Sequence, residues 1–416
     1  MNIVGVKKLK TVVDKAIADV EITDVHTHLY ASCFGDMLLW GVDELLTYHY
    51  LVAEVFRWVD IPYQQFWEMS KREQADLIWK VLFLENSPYS EACRGVLTVL
   101  NGLGLDVGSR DLSAYRRYFS EKTMEEYMDQ VFELSRVKEV VMTNDPFDDN
   151  ERKVWLESYK ADPRFIAALR IDPLLNTWDQ VWMKLKDWGY HVEEDLNGTT
   201  LEEIRRFLRE WADRMQAVYM AVSLPPTFAF PENSSRAVII EECVLPVCRE
   251  FNIPLAMMIG AKKRVNPGLE LAGDSLGKSS IETVEYMCAN YPYNKFMVTM
   301  LSRENQHELS VVARKFRNLM IFGCWWFLNN PSLIDEMTRM RFELLGVSVI
   351  PQHSDARVLD QLIYKWAHSR RIIADVLFDK YKDLLEIGWK LEENEIRRDI
   401  EKLFSQNFWD FVKKKL

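Results

Sequence analysis

The feature that most constrains this chain is a rhythm, in which short apolar runs alternate with amphipathic stretches through most of its 416 residues. The runs 21–28, 138–142, 165–171, 217–223, 253–259, 296–301, 319–322 and 347–351 have strand length and strand composition. Between the later ones, 201–214, 237–250, 279–290 and 332–345 carry apolar residues at helical spacing. Eight strand-plus-helix units in sequence predict a (β/α)8 TIM-type barrel. A doubly wound open sheet is the rival, but no Gly-rich phosphate loop follows the first strand.

Two stretches fall outside the rhythm. Residues 31–137 are rich in Trp, Leu, Tyr and Glu at helical spacing and poor in β-branched clusters, which predicts a large, mainly helical insertion after the first strand. Residues 358–416 read as a C-terminal helical segment flanking the barrel, and 7–20 as a helix packed beneath the first strand. The chain is thus expected to form one barrel domain over 1–416, with the insertion built into it. A homo-oligomer interface on the Trp- and Tyr-rich insertion is one reading, and barrel-capping core is its default.

Composition then excludes function classes. Lys+Arg 52 against Asp+Glu 63 gives a net charge of −11, so no general basic field awaits nucleic acid or an anionic membrane. Lys262-Lys263-Arg264 is a local basic cluster suited to an anion. No run of apolar residues reaches membrane-spanning length, and the N-terminus shows no signal-peptide pattern. The six cysteines contain no CxxC pair and read as reduced thiols of a cytoplasmic protein.

A barrel of this kind places its site at the C-terminal ends of its strands, and polar residues collect there. The first strand ends in His26-Thr27-His28, whose imidazoles share one face by the strand period of two. With seven histidines in the chain, composition alone gives roughly 0.1 such pairs. The last strand runs into His353-Ser354-Asp355-Ala356-Arg357, and barrel closure sets it beside the first. Asp355 is therefore the expected third ligand to a divalent metal held by His26 and His28. Taken singly, Asp355 would serve as a helix cap, Arg170 and Arg357 as ion-pair partners, and Trp325 as core. Their collection on one barrel face favours the functional reading.

With these residues in hand, the chain resembles the uronate isomerase (glucuronate isomerase) family of the amidohydrolase superfamily, as a divergent branch. The resemblance rests on Asp24-Val25-His26-Thr27-His28-Leu29, His49-Tyr50, Thr143-Asn144-Asp145-Pro146-Phe147-Asp148-Asp149, Arg170-Ile171-Asp172, Trp325-Trp326-Phe327 and Asp355-Ala356-Arg357, in that order. Family members commonly carry a histidine where this chain has Met258, and an Arg-Asn-Asn run where it has Lys263 to Pro267.

The resemblance implies a small-molecule uronic acid substrate, D-glucuronate or D-galacturonate, isomerised to D-fructuronate or D-tagaturonate through a cis-enediol. It also implies one divalent metal, zinc being favoured, on His26, His28 and Asp355. Asp355 is then the expected base, with Tyr50 and His49 as proton shuttle or hydrogen-bond donors. Arg357, Arg170, Trp325 and His49 are the expected substrate-binding residues, and either arginine offers a bidentate fork to the carboxylate. Two rivals are a mononuclear metal-dependent hydrolase or deaminase of the same superfamily, and a non-catalytic carbohydrate-binding barrel with a structural metal.

Overall fold

In the computed structural model, which describes residues 5–416, seven parallel strands curl into one sheet in strictly sequential order. They are β1 (Ile22–Thr27), β2 (Val137–Asn144), β3 (Phe165–Arg170), β4 (Met220–Leu224), β5 (Leu255–Ile259), β8 (Phe296–Met300) and β9 (Leu319–Ile321). A separate antiparallel ribbon of β6 (Ala261–Lys262) and β7 (Ser275–Leu276) follows β5 directly.

The strands are apolar on both faces, as parallel strands covered by helices must be, and the period of two sorts their side chains into two cores. Val141, Ala168, Ala221, Ala256, Met297 and Met320 form a core inside the curl. Their neighbours Met142, Leu169, Val222, Met257, Val298 and Ile321 face outward, into the core under the helices. Phe408, Phe411 and Val412 of the terminal helix Asn407–Lys413 join the inner core and so plug one end of it.

The helix expected at 7–20 is observed as Val6–Asp19 and packs on the helices Gln361–Glu386 and Glu393–Glu401. Between β1 and β2 the chain is helical, with segments including His49–Val55, Lys71–Ile78, Glu91–Gly102 and Met124–Ser135.

Two expectations need correction. The stretch at 347–351 is not a strand: it keeps a single parallel bridge, Ile350 to Phe322. The reason is Gln352, whose Oε1 accepts the N–H groups of Cys324 and His353 in place of a main-chain ladder. The segment nevertheless bonds to both sheet edges. Ile350 N–H donates to Ile321 O on one side, and on the other Asp355 N–H donates to His26 O and His28 N–H to Ala356 O. The second is the ribbon at 261–276, where the sequence reading placed no strand and counted 262–264 only as a basic cluster.

Candidate active site

An irregularity in β1 aims its histidines. Asp24 pairs with Val140 but Thr27 with Met142, so β1 carries one extra residue between them, a β-bulge. Val25 and His26 both turn inward in consequence, while Asp24 points to the helix layer and accepts from Trp366 Nε1 at 2.8 Å. The other oxygen of Asp24 accepts the N–H of Ser354, which locks the residue before Asp355 onto β1. Asp355 itself sits at φ 53°, a left-handed backbone uncommon for a residue with a side chain and frequent at functional sites.

His26, His28 and Asp355 then meet, with ligand atoms all within 4.8 Å of one another. Asp355 Oδ1 lies 3.5 Å from His26 Nε2 and 3.4 Å from His28 Nε2. A tetrahedral ion with ligands roughly 2.0–2.2 Å away sets neighbouring ligand atoms roughly 3.3–3.6 Å apart, so the spacing fits.

Protons give a second test. Tyr219 Oη donates to Val25 O at 2.8 Å and Thr143 Oγ1 to Thr27 O at 2.9 Å, so each hydroxyl's hydrogen is already used. Tyr219 can therefore only accept from His26 Nδ1 at 3.4 Å, and Thr143 only from His28 Nδ1 at 3.3 Å. Both Nε2 atoms are left as bare lone pairs facing a carboxylate. Burial and then the Arg357 charge push His28 down to about 3, which keeps it neutral. Two lone pairs and an anion, with His26 Nε2 and Asp355 Oδ1 buried and unpartnered, form a donor set that suits a cation.

The hydroxyls of Tyr219 and Thr143 are thus supports for the metal ligands, and the sequence reading gave them no such role. Tyr219→Phe should weaken metal affinity by about tenfold to hundredfold, since ligand tautomer and orientation depend on such bonds. Competition with a chelating dye measures it, and unchanged affinity would remove Tyr219 from this role.

A small cavity of about 30 Å³ opens on the three ligands. Of the residues expected from sequence, His26, His28, His49, Arg170, Trp325, Asp355 and Arg357 line it. Tyr50 does not. It lines an adjoining cavity of about 280 Å³, with His49 and Trp326 as the shared wall, and its ring packs 4.9 Å from that of Tyr48. Tyr48, Trp326, Lys263 and Ser223 were not anticipated as site residues. Lys263 reaches the inner cavity from the ribbon, pairs with Asp274 at 2.7 Å and stands over the Trp326 ring at 5.2 Å. Its only sequence signal was the basic cluster. Met258, in place of the family histidine, also lines the inner cavity.

The two arginines differ in their surroundings. Arg170 is bidentate to Asp172 at 3.0 and 3.1 Å, and the Asp172 charge raises its pKa further. Among the described residues Arg357 is in no ion pair, and only its backbone N–H is bonded, to Gln361.

Glu151 anchors the loop after β2 by accepting from Tyr30, Asn144 and the Asp145 N–H. Burial pushes its carboxyl up to about 7 against those bonds. The folded state therefore holds this proton more tightly than the unfolded state. The stability it contributes is full below about pH 4.5 and is lost as pH rises to about 7, at most about 3 kcal/mol. Glu151→Gln should flatten the pH dependence of urea unfolding over that window, whereas equal slopes for both proteins would contradict it.

No family model matches the chain, and no curated protein matches it. Solved structures do. A uronate isomerase from Thermotoga maritima at 16% identity covers 99% of both chains with TM-score 0.77. A glucuronate isomerase from Caulobacter crescentus at 14% covers 98% of this chain and 94% of its own with TM-score 0.76. At such identities the likeness is one of fold. A uronate isomerase from Bacillus halodurans is 62% identical, covers 99% of this chain and 98% of its own, and superposes with TM-score 0.98. Identity of that degree across nearly the whole length shows that the chain belongs to the uronate isomerase family.

Proposed function

We propose that this isomerase interconverts D-glucuronate with D-fructuronate, and D-galacturonate with D-tagaturonate, by moving a proton between C2 and C1 through a cis-enediol. The observation that carries the reading is the convergence of two imidazole lone pairs and a carboxylate beside an unpaired guanidinium, in a chain of this family. His26, His28 and Asp355 would hold one divalent ion, zinc by its preference for such a donor set, and that ion supplies charge stabilisation for a developing enediolate.

The protein's own groups do the rest. Asp355, ionised at neutral pH, takes the C2 proton and returns it to C1. His49, kept neutral by burial and by Arg357, offers a ring nitrogen to the substrate oxygens, and Tyr50, whose ring packs against His49, serves as proton shuttle or hydrogen-bond donor. Arg357 grips the C6 carboxylate, Trp325 walls the sugar chain, and Arg170, tied to Asp172, orients hydroxyls.

The same reading takes the segment 350–356 as the eighth member of a closed (β/α)8 barrel. It takes 31–137 as a helical insertion in a single domain, and 358–416 as its flanking segment. A cytoplasmic location accords with six free thiols, and among the described residues no helix is long and apolar enough to cross a membrane.

The test is to assay glucuronate and galacturonate isomerisation before and after chelation and metal restoration, alongside amide and lactone hydrolysis. Isomerisation lost with the metal and regained with it is expected. Hydrolysis without isomerisation would overturn the reading.

A further inference from the structure

The helix Gln361–Glu386 passes behind the site and reaches it at successive turns. Gln361 accepts the N–H groups of Arg357 and Val358, Trp366 donates to Asp24, and Ser369 accepts from Gln352. Lys365 makes the remaining contact. Only 4% of its side chain is exposed, and its one carboxylate partner is Glu91 at 3.1 Å. Its ammonium stands 5.4 Å from the ring centre of Tyr50 and 4.9 Å from that of Tyr364.

Burying an ammonium here is costly. An apolar side chain of similar length fills such a place with less desolvation and often with more stability. The ammonium does what an apolar chain does not: it attracts an aromatic face in a direction-dependent way, most strongly when dry. The ring it holds belongs to the turn Tyr48–His49–Tyr50, whose rings pack within 4.9 Å of one another and whose His49 walls the inner cavity. Glu91 is held in turn by its place in the first turn of the helix Glu91–Gly102, where the helix dipole favours an anion.

We propose that Lys365, paired with Glu91, is a positioning residue for the isomerisation, seating the ring of Tyr50 and thereby fixing the turn that carries His49 into the cavity. The inference rests on the reading that Tyr50 and His49 serve the reaction.

It is tested with Lys365→Met, Lys365→Arg and Tyr50→Leu, singly and with K365M combined with Y50L, each assayed as metal-loaded enzyme. K365M is expected to lower kcat by about tenfold while KM moves less than about threefold, and K365R to recover most of the loss. In the Y50L background, which has no ring for the ammonium to hold, the same K365M change should cost less than about twofold, because coupled residues are not additive. If K365M does not fold, the Lys365→Met, Glu91→Gln pair leaves no buried charge unpaired and takes its place in the cycle. An equal kcat loss in both backgrounds, or no loss in a folded variant, overturns the proposal while leaving the role of Tyr50 standing. Y50L at full activity overturns both, and that single variant tells the two failures apart.

Discussion

Asp355→Asn should reduce isomerase turnover by about a thousandfold or more while the protein stays folded. Two jobs converge on this side chain. Its Oδ1 completes the three-ligand group with His26 and His28, and in the proposed reaction it is also the base that moves the C2 proton. An amide has no comparable basicity, and loss of a general base alone costs about 10²–10⁴ in rate. The backbone argues that the variant folds: Asp355 sits at φ 53°, and asparagine is among the residues that tolerate the left-handed region best. Alanine at 355 would add backbone strain and blur the result. The measurement is kcat at saturating metal, with metal content read on the same sample. Full activity once metal is saturated would reduce Asp355 to a ligand and move the base elsewhere. Persisting inactivity with metal bound is the expected result.

How far the sequence carried depends on which residues fix each feature. The alternation of apolar runs and amphipathic stretches is local, and it located every strand of the seven-stranded sheet to within a few residues. His26, His28 and Asp355 were legible because a period of two and a sequential sheet bring them together. The bulge in β1 was not, because it is a register shift against β2, and β2 begins more than a hundred residues later. The eighth strand was overcalled because its sequence is apolar enough, while its ladder is displaced by the side chain of Gln352. The ribbon at 261–276 pairs two residues with two, too short for any periodicity to register. Arg170 illustrates the limit for charged residues. The sequence left it as either an ion-pair partner or a substrate fork, and only the fold shows the fork already closed on Asp172, two positions along.

That difference between the arginines yields the second large effect. Arg357→Met should raise KM for glucuronate about a hundredfold or more with little change in thermal stability, whereas Arg170→Met should chiefly destabilise. Arg357 has no carboxylate partner among the described residues, and its charge lowers the pKa of both His28 and His49. Removing it leaves no anion stranded, so the fold loses little and the incoming carboxylate loses a charge-assisted, two-pronged contact. Truncating one side of such a contact typically costs about 2–5 kcal/mol, which is about thirtyfold to several thousandfold in affinity. Arg170 stands instead among Asp172, Asp145 and Glu151, and its loss leaves like charges facing one another with nothing between. Arg357→Lys keeps the charge without the fork and should fall between wild type and R357M. Selectivity provides the sharper reading. The preference for a uronate over the same sugar without its carboxylate should collapse in R357M and survive in any R170M that folds. A preserved preference in R357M, with its loss in a stable R170M, would assign the carboxylate to Arg170 instead.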